Sequence, residues 1–130
     1  ERAPLLEAWI LGGGEAAYLH AALGLAAQHA RVRGLTEAHA RHYLAAAERL
    51  HGDVDGRISS HAGTLLHLWH GDAADRRYQE RFWILERHGF DPSADIALDD
   101  AAAVWRWTGR SPALAAEVRG YFASRHEDGR

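Results

Sequence analysis

Two histidines three positions apart are the most prominent candidates for chemistry in this 130-residue sequence. His67 and His70 lie in the apolar segment TLLHLWHG at positions 64–71. Imidazole nitrogens are common ligands of divalent metals, although such a pair can equally be structural at the end of a strand. Residues i and i+3 of a strand point to opposite faces, so both can bind one ion only if the strand bends. The spacing therefore favours His70, beside Gly71, as the ligand and gives His67 a supporting role.

A carboxylate that follows three glycines is the second candidate. Gly12, Gly13 and Gly14 would let a substrate approach the backbone closely, and Glu15 opens a helical pattern. The carboxylate could act as a general base or bind sugar hydroxyls, or it could simply complement the helix dipole. Without other information the pattern favours the dipole role. Neither GxGxxG nor GxxxxGKS/T occurs, which argues against a phosphate loop.

Three arginines follow the histidines. Arg76 and Arg77, with Arg81 one turn further on, could hold phosphate oxygens through their guanidinium groups. Arg76 and Arg77 would point in different directions on a helix, so at most part of the set could face a ligand. A solvated helix face is the simpler interpretation.

Three other patterns favour structural interpretations over functional ones. The DVD triplet at 53–55 resembles a metal–nucleotide signature but has the ordinary composition of a turn. His39 and His42 are one turn apart, and we interpret them as facing solvent because no carboxylate completes a triad. Trp105 and Trp107 would share a strand face, either in the core or as a platform for sugar stacking, with the core favoured.

The bulk composition excludes several classes of protein. A net charge of −3 argues against a dedicated nucleic-acid binder, and the absence of Cys excludes thiolate metal sites and disulfides. No apolar run is long enough to span a membrane, and no signal peptide is evident, so we expect a cytoplasmic location. The sequence lacks Met even at its start, and we therefore expect it to be part of a longer protein.

The periodicities indicate how these residues are positioned. Thr36, Asp72 and Ser111 are suitable N-caps, Pro112 suits a first helical position, and glycines suit helix ends. The patterns predict helices over 15–25, 37–50 (ending at Gly52), 73–88 (ending at Gly89) and from 112 onward, strands over 57–60 and 64–69, and a hairpin or short helix over 96–107. The fold class is therefore α+β and helix-rich, with too few strands for a self-sufficient sheet.

Several segments together resemble one family. They are ILGGGEAAYLHAALG, GTLLHLWHGDAADRRYQERFWIL, FDPSADIALDD, VWRW and YFASRHEDG, in this order along nearly the whole chain. They resemble the C-terminal half of bacterial and phage proteins that look like GT-A-type glycosyltransferases, whose domain is a Rossmann-like α/β fold. The HxWHG segment and the helix that follows it are the most specific part.

This resemblance implies roles for individual residues. Glu15 takes the position of the acid that contacts or deprotonates the acceptor, although relatives usually carry Asp there. His70 takes the position of the metal-binding histidine, and His67 that of an accompanying ligand. The metal would be Mn²⁺ or Mg²⁺, and the partners would be a nucleotide-sugar donor and a glycan or other hydroxyl acceptor. The residues expected to contact substrate are Gly13, Gly14, Trp69, Arg76 and Arg77.

The resemblance also implies that the nucleotide-binding half, with its DxD motif, should precede Glu1. Residues 1–130 would then be a single partial domain, inactive alone, within a metal-dependent glycosyltransferase. The alternative is a non-catalytic interaction module that kept the fold, which the change from Asp to Glu15 would allow.

Overall fold

The structure is a computed structural model that describes residues 8–66 and 71–127. It is α+β and helix-rich, as predicted, with a two-stranded antiparallel sheet. Within the described ranges, no helix is both long and apolar enough to cross a membrane. The elements in chain order are α1 (Gly14–Ala22), α2 (Ala26–Val32), α3 (Glu37–Val54), α4 (Arg81–Arg87), α5 (Pro92–Asp95), β1 (Ile96–Asp99), β2 (Val104–Trp107) and α6 (Pro112–Ala123).

Helices α1 and α2 pack on the long helix α3. The buried hydroxyl of Tyr43 on α3 donates a 2.7 Å hydrogen bond to the carbonyl of Ala17 on α1, and burial raises the pKa of Tyr43 to about 12. Thr36 caps α3 as predicted, because its hydroxyl accepts a hydrogen bond from the amide of His39. The predicted end at Gly52 is wrong: the helix continues to Val54.

Two local predictions between α3 and α4 are also wrong. The predicted strand over 57–60 is absent, and of the one predicted over 64–69 only residues 64–66 are described and form no strand, while 67–69 lie outside the described residues. Among the residues it describes, the structure pairs only β1 with β2. An extended segment without a neighbour has no partners for its backbone hydrogen bonds. The predicted helix over 73–88 forms only in its second half, as α4, because residues 73–80 are a series of turns in which Arg77 has a φ of 42°.

The predicted hairpin is confirmed. Strand β1 pairs with β2 so that Ile96 lies opposite Trp107 and Leu98 opposite Trp105. Trp107 packs against the hydrophobic core, whereas Trp105 is 42% exposed. The core interpretation therefore holds for Trp107 and is wrong for Trp105.

A buried carboxylate joins the hairpin to α6. Asp95 is 1% exposed, and its oxygens accept hydrogen bonds from the amide of Asp91 at 2.8 Å and the hydroxyl of Ser111 at 2.7 Å. Arg110 pairs with the same carboxylate at 2.9 Å. Ser111 occupies the predicted N-cap position and Pro112 the first turn, but the Ser111 hydroxyl makes no cap bond because it donates to Asp95.

Candidate functional site

The glycine-rich segment forms a tight bend in front of α1. Gly12 and Gly13 have φ values of 87° and 89°, and Gly13 is the N-cap of α1. A Cβ on Gly12 would stand 3.2 Å from Nη1 of Arg81, and one on Gly13 would stand 3.4 Å from Nη2. The left-handed backbone of the bend therefore favours glycine at both positions, and the bend lies against the side chain of Arg81 on α4.

Arg81 is buried under this bend. Arg81 is only 4% exposed, and its Nε has no hydrogen-bond partner. Within residues 8–66 and 71–127, no carboxylate forms an ion pair with it. The guanidinium carbon lies instead 5.0 Å from the ring centre of Tyr78 and 5.3 Å from that of Phe82. The interpretation of this arginine as part of a solvated face is wrong.

These contacts belong to a longer row in which arginines and aromatic rings alternate. The ring of Phe82 contacts both Arg81 and Arg33, whose guanidinium carbon is 5.4 Å from the ring centre. The ring of Tyr78 contacts both Arg81 and Arg76, at 5.0 and 5.5 Å. We call Arg33, Phe82, Arg81, Tyr78 and Arg76 the arginine–aromatic row. Cation–π contacts of this kind stabilise a guanidinium without neutralising its charge.

The far end of the row is fastened to α6. Arg76 pairs with Glu127 at 2.7 Å, and Arg77 donates a 2.8 Å hydrogen bond to the hydroxyl of Ser124 while lying over the ring of Tyr121. Both arginines predicted to contact substrate thus hold the turn segment 73–80 against the end of α6. Their role in binding a ligand stays a prediction.

Gly71 directly follows the predicted metal ligands in the sequence. Its φ is 92°, and a Cβ there would stand 2.7 Å from the carbonyl oxygen of Arg125. Gly71 itself therefore packs directly against the chain just after α6. The predicted site residues His67, Trp69 and His70 lie outside the described residues. In the part of the chain that the structure does describe, no group of three His, Asp or Glu side chains is arranged to hold a metal ion.

The predicted site residues fall into two groups that the row connects. Gly13, Gly14 and Glu15 lie at the start of α1, next to Arg81, and the Glu15 side chain is exposed in the first turn. Arg76, at one end of the row, and Arg77 lie in the turn segment 73–80, where Arg76 pairs with Glu127. An exposed carboxylate and a line of guanidinium groups could together bind an anionic substrate and a hydroxyl acceptor.

A cleft between β2 and α6 offers a second surface. Its volume is about 330 Å³, and its lining includes Trp105, Trp107, Phe122 and Arg119. Indole and phenyl rings can stack on sugar faces. Sugar stacking at Trp105 and Trp107 stays a prediction.

Two buried histidines were missed by the sequence analysis. His39 is fully buried beside Phe90 and Trp9, so its interpretation as solvent-facing is wrong. Its position four residues before Tyr43, on the apolar stripe of α3, was the signal that could have revealed this. Burial, followed by the charge of His42, lowers the pKa of His39 to about 4.

His29 on α2 is the second of these histidines. It is 4% exposed, and its ring stacks on that of His20 at 4.3 Å. Burial lowers the pKa of His29 to about 4, with smaller effects from His20 and Arg33. Nε2 of His29 and both ring nitrogens of His39 lack hydrogen-bond partners. Each ring contacts Trp9, so both histidines serve as neutral members of the core.

Comparisons of the chain with models of protein families, with curated proteins and with solved structures find no match. The resemblance to glycosyltransferases therefore rests on the sequence segments themselves.

Proposed function

We propose that this chain forms the acceptor- and metal-binding portion of a GT-A-type glycosyltransferase that uses a nucleotide-sugar donor. The observation that carries the proposal is the arginine–aromatic row. It joins two segments of the resemblance that are distant in sequence, because Arg81 lies against the bend before Glu15 and Arg76 lies near Gly71. A site assembled from both segments is what such a transferase requires.

The electrostatics of the row suit an anionic donor. Arg33 and Arg81 have no ion pair among the described residues, whereas Arg76 is paired with Glu127. Uncompensated guanidinium groups on aromatic supports raise the local positive potential, which attracts a diphosphate and favours its release as an anion.

Glu15 supplies the basic group in this proposal. Its exposed carboxylate at the first turn of α1 can be reached by an acceptor, and it can orient or take the proton of the attacking hydroxyl. A divalent ion, held in part by His70 and by residues outside this chain, would supply further charge neutralisation at the leaving diphosphate. Trp105 and Trp107 would offer the acceptor sugar a stacking surface.

The test uses the complete product of the gene that encodes this chain. Hydrolysis and transfer are measured with a panel of nucleotide sugars and Mn²⁺, first for the wild type and then for Glu15→Gln. We expect the wild type to consume at least one donor and Glu15→Gln to lower kcat by about a hundredfold, the usual contribution of a general base. Glu48→Gln, which changes an exposed carboxylate on α3, is the matched control and should leave kcat unchanged.

Two results would count against the proposal. A folded wild-type protein that consumes no donor would favour the non-catalytic interaction module. Equal activity of the wild type and Glu15→Gln would remove this carboxylate from the mechanism.

A further inference from the structure

We propose that Arg81, the Gly12–Gly13 bend and the N-terminus of α1 form a binding site for a phosphate group. The first reason is the burial of Arg81, which is 4% exposed and has an unpartnered Nε. Removing a guanidinium from water is costly unless an anion or a set of acceptors offsets the loss. Among the described residues no acidic side chain pairs with this guanidinium, and its charge is met only by cation–π contacts with Tyr78 and Phe82, so the natural counter-ion is a ligand.

The second reason is the direction of the guanidinium. Nη1 lies 3.2 Å from where a Cβ of Gly12 would stand, and Nη2 lies 3.4 Å from that position of Gly13, the N-cap of α1. Both terminal nitrogens are therefore next to the glycine bend at the start of α1. A guanidinium presents its donors as a planar fork, which matches two oxygens of one phosphate.

The third reason is the uncapped start of α1. The helix has nine residues and begins at Gly14, directly after the bend, and no side chain caps it. The first amide groups of a helix lack partners within the helix and carry the positive end of its dipole. A phosphate beside the Arg81 fork could accept hydrogen bonds from these amides as well.

Arg33 adds to the preference for a multiply charged anion. Its guanidinium carbon is 5.4 Å from the centre of the Phe82 ring that Arg81 also contacts, and it has no ion pair within the part of the chain described by the structure. Two nearby positive charges favour a phosphate or diphosphate over a carboxylate. The phosphate could belong to the sugar donor or to a phosphorylated acceptor, and its assignment to the donor rests on the function proposed above.

The experiment titrates the 130-residue chain with inorganic phosphate and pyrophosphate, followed by ¹H–¹⁵N NMR and calorimetry. We expect saturable shifts of the amides of Gly13, Gly14 and Glu15 and of the Nε–H of Arg81. Arg81→Met should weaken pyrophosphate binding by at least about tenfold, because the charged fork is lost. Arg87→Met is the matched control, since Arg87 lies on the same helix but pairs with Glu117, and its affinity should equal that of the wild type.

The proposal is overturned if the wild type shows no saturable binding, or if the shifts are confined to exposed arginines elsewhere. It is also overturned if a folded Arg81→Met variant binds pyrophosphate as the wild type does. If that variant does not fold, the wild-type shifts alone decide. Tighter binding of uridine diphosphate than of glycerol phosphate assigns the site to the donor, and the reverse order assigns it to a phosphorylated acceptor.

This outcome is separable from that of the proposed function. Phosphate binding at Arg81 without consumption of any nucleotide sugar would support the site and contradict the transferase. Consumption of a nucleotide sugar with an unchanged KM in Arg81→Met would support the transferase and contradict a donor-phosphate site at Arg81.

Discussion

Replacing His39 by leucine should make the stability of this protein less sensitive to acid. His39 is fully buried between Phe90 and Trp9, with ring centres 5.2 and 5.5 Å away, and neither of its nitrogens has a partner. The folded protein therefore holds the ring in its neutral form. A leucine would keep the apolar contacts and remove the titration.

The direction of the pH dependence follows from the difference in the pKa of His39 between the folded and unfolded states. The pKa of His39 is lowered from 6.5 to about 4, first by burial and then by His42. Between these pH values the unfolded chain binds a proton that the folded chain does not bind, so the free energy of unfolding falls as the pH falls. The same holds for His29, whose pKa is lowered to about 4 by burial, His20 and Arg33.

The magnitude is large relative to the stability of a small domain. One pKa unit corresponds to about 1.4 kcal/mol, so each buried histidine should remove about 3 kcal/mol of stability once the pH has fallen through its window. Together they would remove about 6 kcal/mol, which is comparable with the total of about 5–15 kcal/mol for a typical domain. The His39→Leu variant should therefore lose about half as much histidine-dependent stability as the wild type when the pH falls.

The assay is urea unfolding followed by circular dichroism at several pH values across this window, for the wild type, His39→Leu and His61→Gln. His61 is exposed and serves as the control for removal of a histidine ring. The carboxylates are common to all three proteins, so their contributions cancel in the comparison. The reasoning is refuted if His39→Leu loses stability as steeply as the wild type, or if His61→Gln flattens the dependence equally.

Two further substitutions test how the site is positioned. Gly71→Ala should destabilise the protein by about 1–3 kcal/mol, because residue 71 has a left-handed backbone and an alanine Cβ would meet the carbonyl of Arg125. Gly120→Ala should instead stabilise the protein by about 1 kcal/mol, because Gly120 lies within α6 with no neighbour near its Cβ position. Denaturant unfolding of both variants measures the contrast, and equal effects would contradict the packing at Gly71. Asp95→Ala should cost about 3 kcal/mol, because the partly buried amide of Asp91 and hydroxyl of Ser111 lose a buried acceptor. Asp99→Ala, at a more exposed carboxylate of the hairpin, should cost clearly less in the same measurement.

The elements that could be predicted from the sequence are those with local signals. Thr36 predicted the start of α3 because its hydroxyl caps the amide of His39, the third residue of the helix, and Pro112 predicted the start of α6 because its fixed φ suits a first turn. The failures depend on distant contacts. Residues 73–80 leave the helical path where Arg77 contacts Ser124, a partner that local periodicity cannot indicate.

The residues of the candidate site also divide into those with a local sequence signal and those that depend on distant contacts. The glycines and Glu15 could be picked out because a glycine run before a helical pattern is a local feature. The burial of Arg81 could not be predicted from the sequence, because this burial results from the packing of the Gly12–Gly13 bend on α4. An arginine in an amphipathic pattern is usually solvated, and only the tertiary structure shows which one is enclosed.

The glycines beside the arginine–aromatic row do not by themselves distinguish a transferase from an inert module. The left-handed backbone explains Gly12 and Gly13, and the close approach of a carbonyl explains Gly71, so local geometry alone accounts for both segments. Arg81 is different, because an apolar side chain of similar volume usually gives equal or greater stability than an arginine at a buried position that only contributes to packing. If Arg81→Met folds with undiminished stability and loses phosphate binding, the arginine is present for a ligand. If instead it loses stability without any change in binding, the row is part of the scaffold, and the search for the function of this chain should move to the tryptophan-lined cleft beside α6.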